Sequence, residues 1–272
     1  MISELCLFDL GAGKASVLLR HEGHIEAPNW HPDGYLIVNG DGRLYRVPLS
    51  DPSLLLIDTG FAVQCNNDHG LSPDGTQLVI SDKTQTTKSC IYTLPVEGGT
   101  PKRVTDAVPS YWHGWSPDGR TLAYVGHRGE KFALYTCPTV DGAETCVTDA
   151  FDHIDGPDYS ADGAWIWFNG ERDGDVELWR IRPDGADLQQ MTDDEAVNWF
   201  PHPSPDGEHV VYLAYPAKTK GHPPNLDVSL RLLSADGGST RELCTLFGGQ
   251  GTINVPSWSP DSMAFAFVRY VL

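Results

Sequence analysis

One four-residue phrase recurs six times along the chain and constrains its architecture more than any other feature. It is written HPDG, SPDG, SADG or SPDS, and its aspartates are Asp33, Asp74, Asp118, Asp162, Asp206 and Asp261. The steps between successive aspartates are 41, 44, 44, 44 and 55 residues. A period of this length is typical of propellers and other repeat architectures. Because the repeat runs from end to end, it predicts one closed domain over residues 1–272.

Each repeat predicts the same set of β-strands. A dense apolar run follows each anchor phrase, for example YLIVNG at 35–40 and TLAYVG at 121–126. Such a run suits a strand that is covered on both faces. An alternating strand and a short closing strand come next, and no segment has a convincing helical pattern. Four strands in each of six units predict an all-β, six-bladed β-propeller with antiparallel blades.

The two ends of the chain are predicted to share one blade. The sixth anchor is followed by a single strand before Leu272, whereas residues 4–19 have the pattern of an outer hairpin with no inner hairpin before it. The N-terminal strands would therefore complete the last blade. Pairing the ends in this way removes the open sheet edge that a linear array would expose.

Three segments carry a family resemblance, namely WSPDGRTLAYV at 115–125, FNGERDGDVELWRIRPDGADLQQMT at 168–192 and VPSWSPDSMAFAFV at 255–268. They resemble the repeats of the TolB family, and the resemblance extends over essentially the whole chain. It implies a six-bladed propeller and favours a binding role. The sequence departs from the family pattern at Ser262, which replaces the glycine of the last anchor. No N-terminal α/β domain or export signal is recognisable before the repeats.

Composition narrows the classes of partner. The formal net charge is −18, from 19 basic and 37 acidic residues, and many of the acids belong to Asp-Gly pairs that favour turns. Without a basic stripe, nucleic acid and anionic membrane surfaces are not expected as partners. No stretch approaches the roughly 20 apolar residues of a membrane-spanning helix. We expect a monomer with a protein or peptide partner.

The number and spacing of the cysteines indicate the redox compartment of the protein. The six cysteines have neither the spacing of metal-site pairs nor the density of a disulfide scaffold, which favours a reducing compartment. We therefore expect a cytoplasmic protein. The alternative is a periplasmic protein from which a leader has been removed.

The face opposite the anchor turns carries the candidate site. The near-identical anchor turns are interpreted as structural, whereas the segments just before them hold histidines, acids and aromatic residues. His69 and His113 share one register, five residues before Asp74 and Asp118. Asp68, Tyr111 and Phe200 belong to the same segments. The candidate ligand-binding residues are His69, His113, His153, Asp155, Asp158, Trp112, Trp199 and His202.

The fifth repeat contains about eleven residues more than the others, in the stretch YPAKTKGHPPNLD at 215–227. This insertion is expected on the same face as the candidate site. It is interpreted either as a tolerated insertion or as a partner-binding loop, since long polar loops are often functional. The candidate partner-loop residues are Lys218, Lys220, His222 and Asn225.

Catalytic motifs are scarce. No G-x-S-x-G nucleophile elbow occurs, and His21 and His24 in HEGH have the wrong spacing for a helical zinc pair. The sequence therefore favours a non-enzymatic scaffold that recognises a protein, a peptide or a small ligand at the channel mouth. The alternative is a metal-assisted carbohydrate-active enzyme, a lyase or hydrolase that uses a divalent cation in the same His/Asp cluster. No other cofactor is expected.

Overall fold

The computed structural model describes residues 1–140 and 142–272, which form β-strands in six sheets around a common axis. In chain order the strands are β1 Ile2–Asp9, β2 Lys14–Glu22, β3 Glu26–His31, β4 Tyr35–Gly40, β5 Arg43–Pro48, β6 Leu55–Leu56, β7 Cys65–Leu71, β8 Gln77–Asp82, β9 Cys90–Pro95, β10 Lys102–Arg103, β11 Ser110–Trp115 and β12 Thr121–Arg128. They continue as β13 Lys131–Pro138, β14 Thr145–Thr148, β15 His153–Tyr159, β16 Ile166–Arg172, β17 Asp175–Ile181, β18 Gln189–Gln190, β19 Val197–Pro203, β20 His209–Tyr215, β21 Pro224–Ser234, β22 Thr240–Gly249 and β23 Ala264–Val271.

Five blades are four-stranded antiparallel sheets in simple sequence order, from β3–β6 in the first to β19–β22 in the fifth. The anchor phrase forms the turn between the first and second strands of each blade. The second strands are buried over most of their length, as the apolar runs predict; β4 is buried at all six positions. The predicted six-bladed propeller is confirmed. In the part of the chain that is described, no helix is long and apolar enough to cross a membrane.

The sixth blade is built from both ends of the chain, as predicted. Strand β1 lies between β2 and β23, and its pairing with β23 runs from Ile2 opposite Val271 to Asp9 opposite Ala264. The innermost position of this blade holds only a bridge between Trp258 and Phe265 rather than a full strand. The segment before Trp258 is not part of a strand and follows an irregular path along the channel.

The core lies between neighbouring blades, where apolar side chains from facing sheets interdigitate. One cluster joins Ile37 of the first blade to Leu78 and Ile80 of the second. Close approach requires glycine at position 70, because a Cβ built there would lie 1.9 Å from Cη2 of Trp112 on the next blade. Interlocking of this kind fixes the spacing between blades and so the width of the channel.

The anchor turns are held by a repeated hydrogen-bond pattern. In the third blade the Ser116 hydroxyl donates to Asp118 Oδ1 at 2.6 Å, and the same oxygen accepts from the Arg120 backbone N–H at 3.0 Å. The glycine that follows the aspartate adopts positive φ, +72° at Gly119, which glycine tolerates without steric cost. Ser262 takes the equivalent φ of 60° in the sixth anchor.

The innermost strands are interrupted by register shifts. In β15 the shift falls between Asp155 and Asp158, and the intervening Gly156 has φ of +59°. A bulge of this type adds one residue to a strand and bends it locally. Asp155 pairs with Asn169 before the shift, and Asp158 pairs with Trp167 after it.

Candidate functional site

Two cavities open at opposite ends of the central channel. The first, here called the histidine cavity, has a volume of about 290 Å³ and lies where the innermost strands begin. It is lined by Asn66, Asn67, Asp68, Tyr111, His113, Val125, Phe132, His153, Asp155, Phe200, His222, Gln250 and Asn254. The second, here called the proline cavity, has a volume of about 410 Å³ and is bordered by the anchor turns. Its lining includes Pro32, Pro73, Pro117, Pro205 and Pro260 together with Trp30, Trp115 and Trp258.

The predicted site residues are divided between these regions. His113, His153, Asp155 and His222 line the histidine cavity. Trp112 and Asp158 line the proline cavity instead. Neither lining includes His69, His202 or Trp199, which are buried among the innermost strands.

His113 is the centre of the histidine cavity. Its Nε2 lies 2.9 Å from Asp155 Oδ1 and 3.8 Å from Asp68 Oδ1, and its Nδ1 lies 3.3 Å from the Asn254 carbonyl oxygen. Burial disfavours the charged ring, but the Asp68 and Asp155 carboxylates outweigh it and raise the pKa of His113 to about 9. The imidazolium therefore donates from both nitrogens at neutral pH, and its bonds link blades three, four and six.

The two carboxylates beside His113 differ in their acidity. Burial of Asp155 is outweighed by the hydrogen bond and the charge of His113, which hold the pKa of Asp155 below its usual range. Asp68 is farther from the imidazolium. Burial dominates there and raises the pKa of Asp68 to about 7, although His113 opposes this shift. Only one of the two carboxylates is therefore fully balanced by the single imidazolium.

Two buried polar atoms at this site have no hydrogen-bond partner among the described residues, Oδ1 of Asn254 and Nδ1 of His222. The amide orientation of Asn254 follows from its other end, because Nδ2 donates to the Asn67 carbonyl and to Asp68 Oδ1, each at 3.3 Å. His222 Nε2 lies 3.4 Å from Asp155 Oδ2, and burial lowers the pKa of His222. A neutral ring that donates from Nε2 leaves Nδ1 as an acceptor.

Aromatic rings form the walls of the cavity. The Phe132 ring centroid lies 4.8 Å from that of His153, and the Phe200 ring stacks with His113 at 6.3 Å. Trp199 packs behind them, with its centroid 4.4 Å from His222 and 5.9 Å from His153. Trp199 thus supports the site from within the protein rather than facing the cavity.

His69 and His202 form bonds between blades below the cavity. His69 Nδ1 lies 2.7 Å from Asn29 Oδ1, and burial lowers the pKa of His69 to about 3. His202 lies between Asp158 Oδ2, at 3.1 Å, and the Ile253 carbonyl, at 2.7 Å. These contacts stabilise the ring of blades between the two cavities.

The comparisons with known proteins agree with this architecture. The family model for the TolB beta propeller domain matches residues 112–269. An uncharacterized protein of Agrobacterium fabrum is 50% identical over 272 residues, covering 99% of this chain and 93% of the relative. The chain belongs to the TolB beta-propeller family. A solved structure from Agrobacterium tumefaciens, provisionally assigned as TolB, is 49% identical to this TolB-family propeller and superposes with a TM-score of 0.98. The match covers 100% of this chain and 99% of the chain in the solved structure.

A more distant relative is a longer protein. The Tol-Pal system protein TolB of Francisella tularensis subsp. tularensis is 25% identical over 274 residues, which cover 95% of this chain and 60% of the relative. The TolB-family propeller described here thus spans about 60% of the length of that relative.

The fifth-blade insertion of this TolB-family propeller contributes one residue to the site. His222 reaches the histidine cavity, whereas Lys218 and Lys220 line a separate depression together with Glu171 and Glu195. Asn225 is exposed on β21. The four predicted loop residues therefore do not form one surface.

Two further features of the TolB-family propeller concern a metal site, which was considered only within the alternative function, and lining residues that the sequence did not identify. Within residues 1–140 and 142–272, no three His, Cys, Asp or Glu side chains are grouped so that they could hold a metal ion. Asn254 was missed as a site residue, although it stands five positions before Ser259, as Tyr111 does before Ser116. That shared register is the signal that could have identified it. Phe132 comes from the β12–β13 hairpin and has no comparable sequence signal.

Proposed function

We propose that this TolB-family propeller acts as a binding module, and that the histidine cavity receives part of a protein, peptide or small ligand. The observation that carries the proposal is the unpartnered Oδ1 of Asn254, a side chain only 1% exposed, in the lining of a polar cavity. A buried acceptor without a donor costs free energy. A ligand that supplies the donor recovers that cost on binding.

The protonation state of His113 argues against its acting as a general base. A general base must be unprotonated and within reach of the proton that it removes. His113 is already protonated at neutral pH and is engaged at both nitrogens. His69 is buried and lines neither cavity. His69 therefore has a structural role, whereas His113 supplies positive charge to the cavity.

The size of the cavity indicates how much of a partner it would hold. About 290 Å³ lies near the lower limit for small-molecule pockets, so it suits one side chain or a chain end. A larger partner would contact the surrounding rim, including the fifth-blade insertion. The Francisella relative is named as a protein of the Tol-Pal system, and a part in a multi-protein system is in keeping with such a surface.

Capture experiments with two matched variants test the proposal. Tyr111 and Trp115 are half-buried on the same strand, but Tyr111 lines the histidine cavity and Trp115 the proline cavity. We expect Tyr111→Ala to abolish capture of a specific ligand from cell extract, identified by mass spectrometry, and Trp115→Ala to retain it. Thermal unfolding of both variants controls for folding. Loss with Trp115→Ala but not with Tyr111→Ala would refute the assignment to this cavity.

A further inference from the structure

The charge balance of the histidine cavity identifies the type of ligand group that it would accept. Among the described residues that line it are two carboxylates, Asp68 and Asp155, and neither lysine nor arginine. The imidazolium of His113 is nearer to Asp155, at 2.9 Å, than to Asp68, at 3.8 Å. The positive charge inside the cavity is therefore directed to Asp155, whereas the closest donors to the Asp68 carboxylate are the neutral amides of Asn66, at 2.5 Å, and Asn254, at 3.3 Å.

The hydrogen-bonding groups of the cavity also favour a ligand that donates hydrogen bonds, because two acceptors there have no donor among the described residues. Asn254 Oδ1 accepts no hydrogen bond, and its amide cannot rotate without breaking the donations from Nδ2 to Asn67 and Asp68. His222 Nδ1 is a second acceptor without a donor. Above the pKa of Asp68, which is about 7, the cavity thus presents a carboxylate and two neutral acceptors, and the ligand must bring the N–H or O–H groups.

Aromatic walls add a second attraction for a cation. Tyr111, Phe132 and Phe200 line the same cavity, and the faces of aromatic rings attract ammonium and guanidinium groups. The net charge of the whole chain, −18, would also raise the local concentration of cations. An anion, in contrast, would meet two carboxylates and further acceptors.

We infer that the histidine cavity recognises a positively charged nitrogen group with several N–H donors, an alkylammonium or a guanidinium, held by Asp68, Asn254 and His222. The inference rests on the proposed binding function and names the chemistry of the ligand. Two sources share this chemistry in a protein partner, the side chains of lysine and arginine, and the experiment separates them.

Calorimetric titration of the full chain with small probes at pH 8, where Asp68 is ionised because its pKa is about 7, tests the inference. The probes are n-butylammonium, methylguanidinium, the neutral isostere n-butanol, and butyrate. We expect saturable binding of at least one cation with a dissociation constant on the order of 1 mM or tighter, and at least about tenfold weaker binding of n-butanol and butyrate. The tighter of the two cations identifies the source as lysine-like or arginine-like. Equal binding of n-butanol, or preference for butyrate, would overturn the inference.

A matched pair of variants places the binding in this cavity. Asp68→Asn removes the negative charge and keeps the shape of the side chain, whereas Asp118→Asn makes the same change at an exposed anchor turn. We expect Asp68→Asn to weaken cation binding at least about tenfold and Asp118→Asn to leave it unchanged. Unaltered binding by a folded Asp68→Asn variant contradicts the inference. The probe comparison on the unmodified chain remains decisive if that variant does not fold.

Failure of this inference can be told apart from failure of the proposed function. If a captured partner is lost with Tyr111→Ala but neither cationic probe binds, the cavity is a binding site for another chemistry. If the cations bind but capture does not depend on Tyr111, the cavity recognises cations without being the partner site.

Discussion

At the scale of single residues, Asp68 links the site to stability. Its pKa is about 7 in the folded protein, against 3.8 as the ordinary value, chiefly because it is buried. Between these two values the folded state holds a proton that the unfolded state has released, so the unmodified protein loses stability as the pH rises. The carboxylate is thus retained at a cost to folding, which is common for groups that serve a binding site.

This shift predicts a pH-dependent effect of Asp68→Asn. Relative to the unmodified protein, the variant should gain about 2.5–3 kcal/mol between pH 5 and pH 8, since the pKa of Asp68 lies about two units above pH 5 and each unit corresponds to about 1.4 kcal/mol. Urea unfolding at the two pH values measures the difference. Asp118→Asn is the control, because hydrogen bonds lower the pKa of Asp118 and its effect should not change above pH 5. An equal difference for Asp68→Asn at pH 5 and pH 8 would contradict the assignment.

The position of a residue within the repeat predicted its equivalent in other blades, but not the contacts of its side chain. His69 and His113 are equivalent in the repeat, and a common orientation was expected for both. His69 finds Asn29 on the preceding blade, at 2.7 Å. The residue equivalent to Asn29 before His113 is Gly70, whose missing side chain leaves room for Trp112. His113 therefore takes its hydrogen-bond partners from the fourth and sixth blades, and no single repeat contains that information.

At the scale of elements, the departure from the family pattern at Ser262 has a structural explanation. Its φ of 60° is that of the glycine in the other anchors, and its hydroxyl accepts a hydrogen bond from the Asp206 backbone N–H at 2.9 Å. The serine thus joins the fifth and sixth anchor turns. The left-handed conformation costs roughly 1 kcal/mol for a residue with a Cβ, and the hydrogen bond offsets a similar amount.

Substitutions at Ser262 separate these two terms. Ser262→Ala keeps the strain and loses the bond, so we expect it to destabilise the protein by about 1–2 kcal/mol. Ser262→Gly loses the bond but relieves the strain, and should lie within about 0.5 kcal/mol of the unmodified protein. Denaturant midpoints measure both. Gly119→Ala, at φ of +72° with open space around it, reports the strain alone. The explanation fails if Ser262→Ala is as stable as Ser262→Gly.

The innermost strands are the elements for which sequence reasoning was least complete. The pattern predicted their order but not their register shifts, which place an extra residue on one strand and have no signature in the apolar pattern. On the two sides of the shift in β15, Asp155 lines the histidine cavity and Asp158 lines the proline cavity. The predicted set of site residues therefore combined residues of the histidine cavity with residues of the proline cavity.

At the scale of the whole molecule, the repeat and the unmatched ends were enough to predict the ring. Strand β1 pairs with β23 over its full length, and Glu4 lies between Arg20 of β2 at 3.0 Å and Arg269 of β23 at 2.7 Å. The two chain ends are thus held within one sheet. We expect this pairing to contribute to the stability of the ring, because it leaves no unpaired edge between the first and last blades.

Circular permutation tests the contribution of closure. Ile2 and Val271 are paired neighbours, so a short glycine-containing linker can join the present ends as a hairpin. New ends between Gly129 and Glu130 lie in the turn between β12 and β13, where Arg128 pairs with Lys131, and would again meet within a blade. New ends between Asp149 and Ala150, both exposed, would fall between the third and fourth blades, with no strand pairing to join them.

The two permutants should therefore differ in stability although they contain the same residues and the same linker. We expect the chain opened at Gly129 to unfold within a few degrees of the unmodified protein and in a single transition. The chain opened at Asp149 should unfold at a lower temperature. Its first and last blades would not be joined by strand pairing, so either of them could separate from the ring. Calorimetry measures both midpoints. Equal midpoints would show that packing between blades is sufficient to close the ring and that strand pairing between the ends adds nothing to it.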